Sequence, residues 1–118
     1  MIRDRDQEYI RFKTAVYFWL DKIGLNDWTV TVESVRLGRK MKLVYARVCM
    51  NWQNRVAHVQ WNASSASLDE EPEDIAKHEV LHILLNACLN LAAHEGDVNA
   101  CSVDAEEHGI IRRLMKLL

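Results

Sequence analysis

Residues 69–96 read DEEPEDIAKHEVLHILLNACLNLAAHEG, and this stretch decides the fold. Pro72 stands where a helix tolerates proline, in the first turn, among the carboxylates of Asp69, Glu70, Glu71, Glu73 and Asp74, which suit the positive end of a helix dipole. From there Ile75, Ala76, Glu79, Val80, Ile83, Leu84, Ala87, Cys88 and Leu91 recur at spacings of three and four. The pattern predicts about five helical turns, ending near Ala93-His-Glu-Gly96. So apolar a helix requires other elements to cover it.

Upstream, Tyr9, Phe12, Ala15, Val16, Trp19, Leu20 and Ile23 place a first amphipathic helix over about Asp6 to Ile23, with Gly24 as its stop. Trp28, Val30 and Val32 alternate with threonines as in a strand buried on one face. A turn at Leu37-Gly38-Arg39-Lys40 leads to a second strand through Leu43 to Met50, and a third runs through Arg55 to Trp61 beyond a connection at 51–54. Downstream, a last helix is expected from about Ser102 to Leu118, with Ser102 as its cap and Arg112, Arg113 and Lys116 toward its negative end. The class is therefore α+β: an N-terminal helix, a small antiparallel sheet of about three strands, the long helix and a C-terminal helix.

With 118 residues, 49% of them apolar, and a net charge of −2, the chain reads as one globular domain over 1–118. Cys49, Cys88 and Cys101 are odd in number and have no C-x-x-C spacing, which excludes a disulfide framework and a four-cysteine zinc site and favours a reducing, cytoplasmic compartment. The N-terminal MIRDRDQEYIRF is too charged for a secretory signal, and no apolar run is long enough for a membrane span. A pI near 6.2 argues against a generally basic nucleic-acid-binding face.

Within the long helix stands His78-Glu79-Val80-Leu81-His82, the H-E-x-x-H pattern. Side chains four apart share a helix face, so both imidazoles can approach one metal ion from successive turns. Glu79 is displaced around the helix, where its carboxylate suits a general base acting on water. Three titratable groups among Val80, Leu81, Ile83 and Leu84 are costly to bury without such a role. A catalytic zinc needs a third protein ligand. Leu85 and Cys88 stand where the longer H-E-x-x-H-x-x-G-x-x-H form has glycine and histidine, so that variant is excluded. Glu107, the one carboxylate on the apolar stripe Val103, Ile110, Ile111, Leu114 and Leu118 of the last helix, is the first choice; Glu106 is second, and His108, Asp104 and His94 stay open.

This order of elements, with H-E-x-x-H on the long helix and Glu106-Glu107-His108 ahead of Ile110-Ile111, resembles the minimal zincin metallopeptidases, in particular small phage and bacterial members, with SprT-like and ImmA/IrrE-like proteins as more distant kin. The resemblance implies zinc held by His78, His82 and a downstream glutamate. It also implies an edge strand, here Arg55 to Trp61, lining the cleft. The expected activity is zinc-dependent hydrolysis of peptide bonds, with Glu79 as base and a peptide or protein as substrate. His108, Tyr45, His58 and Arg112 are open choices for stabilising the charged intermediate. The alternative is a non-catalytic zincin-fold module, a phage accessory or regulatory protein, with nucleic acid as a further partner through Arg36, Arg39, Lys40 and Lys42. Those four cations read more simply as a solvated turn. Asn62-Ala63-Ser64 matches a glycosylation sequon that carries no meaning without secretion.

Overall fold

The computed structural model describes residues 5–51, 53–65, 69–93, 99–101, 111 and 113–118. Helix α1 (Arg5–Ile23) ends as the glycine predicts. Gly24 takes a φ of 89°, its amide bonds the Asp21 carbonyl, and the Leu25 amide reaches back to the Leu20 carbonyl at 2.9 Å. This pair of bonds satisfies the last carbonyls of the helix and turns Leu25 into the core. Helix α2 (Pro72–Ala93) begins at the proline, with the amides of Asp74 and Ile75 both bonded to the Glu71 carbonyl.

Strands β1 (Thr29–Val35), β2 (Ala46–Asn51), β3 (Val56–Asn62) and β4 (Asn99–Cys101) form one sheet in the order β1-β3-β2-β4. The fold is α+β, as expected, but the sheet is mixed and four-stranded rather than antiparallel and three-stranded. Strand β3 runs parallel to β1 and antiparallel to β2, and β2 is antiparallel to β4. The reason lies in residues 36–45, which cross the end of the sheet and set β2 on the far side of β3. Strand β3 is therefore central, not the edge strand that the resemblance implied for Arg55 to Trp61. Both of its sides are occupied.

One face of the sheet carries Ala46, Val48, Met50, Ala57, Val59 and Trp61, all buried beneath the two helices. Phe12 of α1 meets Trp61 with ring centroids 4.9 Å apart, and Val16, Ile75, Ala76, Val80 and Ile83 complete the core. The opposite face is polar: Gln60 donates to Glu33 at 2.9 Å and receives Arg47 at 2.7 Å, while Thr31 bonds His58 at 2.6 Å. Cys49 also lies on this face and is disulfide-bonded, a link to which the odd cysteine count and its spacing did not point. The sheet register sets the backbone of Cys101 opposite it, a proximity that sequence spacing does not contain. The start of α2 is tied to α1 by Arg11, which donates to Glu71 at 2.7 Å and forks onto both carboxylate oxygens of Glu73. Among the described residues no helix is long and apolar enough to cross a membrane. Of the expected last helix, residues 113–117 are helical and Ile111 is buried, whereas 102–110 lie outside the described residues.

Candidate metal centre

The wall of α2 that faces the core is apolar at Ile75, Ala76, Val80 and Ile83, and these contacts determine the rotation of the helix. That rotation carries His78, Glu79 and His82 with it. His82 is completely buried, Glu79 is 3% exposed and His78 is half-buried, so the pair of imidazoles reaches from the interior toward solvent. The two Nε2 atoms lie 3.1 Å apart, with ring centroids 4.8 Å apart and planes inclined at 68°. Two nitrogens each about 2.0–2.1 Å from one tetrahedral ion sit roughly 3.3 Å from one another. The separation fits a shared cation, and the use of Nε2 on both rings leaves both Nδ1 atoms for orienting partners.

The ligand atoms of His78, Glu79 and His82 fall within 4.8 Å of one another, forming the one such group of metal-ligating side chains among the described residues. The donor set is borderline-soft nitrogen with a carboxylate beside it, which suits zinc better than calcium or magnesium. The spacing argument from the H-E-x-x-H pattern thus corresponds to real convergence.

Asn86 joins this face without having been expected from the sequence. It is 9% exposed and stands one turn beyond His82. An amide at i+4 from the second histidine, one of two (with Asn90) in the apolar run 83–93, is the signal that could have found it. Other candidates separate from the centre. His58 belongs to the polar face of the sheet, away from the helices, where it bonds Thr31. Tyr45 bonds Asp69 just before α2, its hydroxyl donating to the Asp69 carboxylate at 3.2 Å. Trp61, near the end of β3, is a core residue. Glu107, Glu106, His108, Asp104, His94 and Arg112, together with the side chain of Cys88, lie outside the described residues.

Comparison with family models, with curated proteins and with solved structures gave no match.

Proposed function

We propose that the chain is a zinc-dependent peptidase of the minimal zincin class. The observation that carries this reading is the convergence of the His78 and His82 Nε2 atoms at 3.1 Å beside a buried Glu79. His78 and His82 would hold the ion, with Glu107 of the C-terminal segment as third ligand. A zinc ion bound there supplies a Lewis acid for a peptide carbonyl and makes water acidic enough to deprotonate near neutral pH. The residues of the chain do the rest. Glu79 accepts the proton from the attacking water and passes it to the departing amine, a transfer its carboxylate can make because it adjoins the ligands without being needed as one. Burial of Glu79 strengthens its electrostatic coupling to whatever charge develops nearby.

The substrate in this reading is an extended peptide that adds to a free sheet edge through backbone hydrogen bonds. With β3 central, the edges among the described strands are β1 and β4, and this reading takes β4, because it adjoins β2, the strand on which α2 packs. Retention of a glutamate next to the ligand pair favours catalysis over a purely structural ion, which needs ligands but no base. Incubation of a mixed peptide library with the wild-type protein and with Glu79→Gln, read by mass spectrometry, tests the reading. Zinc-dependent cleavage by the wild type alone supports it. Equal cleavage by both, or none by a zinc-loaded wild type across broad libraries, counts against it.

A further inference from the structure

The connection between β1 and β2 carries Arg36, Arg39, Lys40 and Lys42 with no acidic residue between them. All four are exposed, and none of their side chains makes a hydrogen bond, ion pair or ring contact among the described residues. Six of the other described cations are engaged. Arg11 and Arg55 bond carboxylates, Arg5 bonds Ser65 and approaches Glu8, Arg47 bonds Gln60, and Lys22 and Lys77 lie over aromatic rings. Apart from the four loop residues, only Lys13, Arg113 and Lys116 among the described cations have no such contact. In a chain of net charge −2 this concentration does not follow from composition.

The loop is held in shape from below. Asn62 is completely buried at the end of β3. Its Nδ2 donates to the carbonyls of Met41 at 2.9 Å and Val44 at 2.8 Å, while its Oδ1 accepts from the Leu37 amide and from the amide and hydroxyl of Ser64. Ser64 in turn accepts the Gly38 amide, and Gly38 takes a φ of 87° that enters a short 3₁₀ turn at Arg39–Met41. The Asn-Ala-Ser sequence is thus a loop clamp. In a three-residue repeat Arg39 and Lys42 project from one ridge, about 6 Å apart along the axis, with Lys40 a third of a turn away. Met41 turns partly inward. The fold presets like charges on one short turn, and none of them has an ion-pair partner among the described residues, an arrangement that an external polyanion would relieve.

We propose that this loop is a docking surface for the phosphodiester backbone of nucleic acid, read without sequence preference. A duplex offers a regular row of monoanions that exposed cations can neutralise without a pocket. The loop has no aromatic side chain at 36–44 for base stacking, so contact is with phosphates. Leu43 is the one large apolar side chain it exposes, far short of the broad apolar face that insertion into a membrane surface requires. This surface is independent of the peptidase reading, since none of its residues belongs to α2.

The test is fluorescence anisotropy with a labelled duplex of about 20 base pairs at 50 and 200 mM salt. Four phosphate contacts predict a log–log salt slope of about −3 to −4, roughly a hundred-fold weakening between the two conditions. The pair Lys40→Gln and Lys42→Gln should remove about two units of slope, whereas Lys13→Gln with Lys116→Gln, equally exposed cations elsewhere, should leave binding unchanged. His78→Ala with His82→Ala should also bind as wild type does, which separates this surface from the metal centre. Unchanged melting temperatures of the lysine variants verify their folds. Absence of binding at 50 mM salt, equal loss in the loop and control pairs, or binding to phosphatidylserine vesicles without binding to the duplex would each overturn the proposal.

Discussion

The His78–His82 pair and the loop from Arg36 to Lys42 concentrate polar chemistry in opposite surroundings. The histidines belong to a helix packed into the core, with His82 fully buried. The loop cations face water, and the buried group that matters to them is Asn62, whose side chain shapes the backbone beneath them. In the proposed reading each side chain of the first region is the chemistry, so its removal should act at once and nearly completely. In the second each cation would add a small increment, and structural sensitivity is moved to Asn62, whose side chain holds the backbone of the loop.

The sharpest way to break this comparison is at the candidate metal centre. The purified protein should contain about one zinc per chain, and His78→Ala with His82→Ala should contain none, measured by elemental mass spectrometry after zinc loading and dialysis. Metal retained in the double variant would locate the ion elsewhere. Next in size is Glu79→Gln, expected to keep zinc and the native melting curve but to cleave peptides at least ~100-fold more slowly. Loss of zinc from that variant would make Glu79 a ligand instead of a base.

Asn62→Ala sharpens the other side of the comparison. It removes the side-chain donor from the Met41 and Val44 carbonyls, the first of which keeps the Val44 amide, and the acceptor from the Leu37 and Ser64 amides, so urea denaturation should report a loss of at least ~2 kcal/mol. Limited proteolysis should then cut within 36–45 while zinc content stays unchanged. Equal stability of the variant would mean that the loop holds its shape without the clamp.

The smallest effect is expected at the exposed tie between the helices. Arg11 holds the Glu73 carboxyl below its ordinary value by hydrogen bonding, against a smaller opposing effect of burial. A depressed folded-state value means that the stabilisation is present near neutral pH and is lost as pH falls through the Glu73 titration. Because both partners are more than a third exposed, Arg11→Ala should cost less than ~1 kcal/mol at about pH 7. Denaturation curves of variant and wild type should converge as the pH falls through the Glu73 titration. A gap that persists in acid would assign the effect to packing of the arginine stem.

Much of the architecture is legible in the sequence because helices advertise themselves locally. The three-and-four spacing of Phe12, Val16 and Leu20, and of Ala76, Val80 and Ile83, predicts two buried faces that the core contains. Gly24 and Pro72 mark ends that local backbone bonds enforce. The strands lie close to their expected positions, but their pairing differs, because alternation reveals a buried face and says nothing of the neighbour. The short β2–β3 connection joins adjacent strands, as its length suggests, whereas the longer 36–45 connection conceals a crossing. Asn62 reads in the sequence as part of an irrelevant sequon for a similar reason: its importance comes from meeting Met41, Val44 and Leu37, all remote in sequence.

What the sequence determined by itself was the sharing of one helix face by His78 and His82, a direct consequence of 3.6 residues per turn. It also determined the helix ends, the alternation of the strands and the clustering of four cations. Only tertiary structure decided that β3 is central, that Cys49 enters a disulfide, that Asn62 is desolvated beneath a loop, and how deeply each member of the histidine–glutamate group is buried. The physical reason is range. Dihedral periodicity acts over one or two turns, while strand order, burial and the approach of distant cysteines depend on which of many chain crossings buries the most apolar surface with every backbone group bonded.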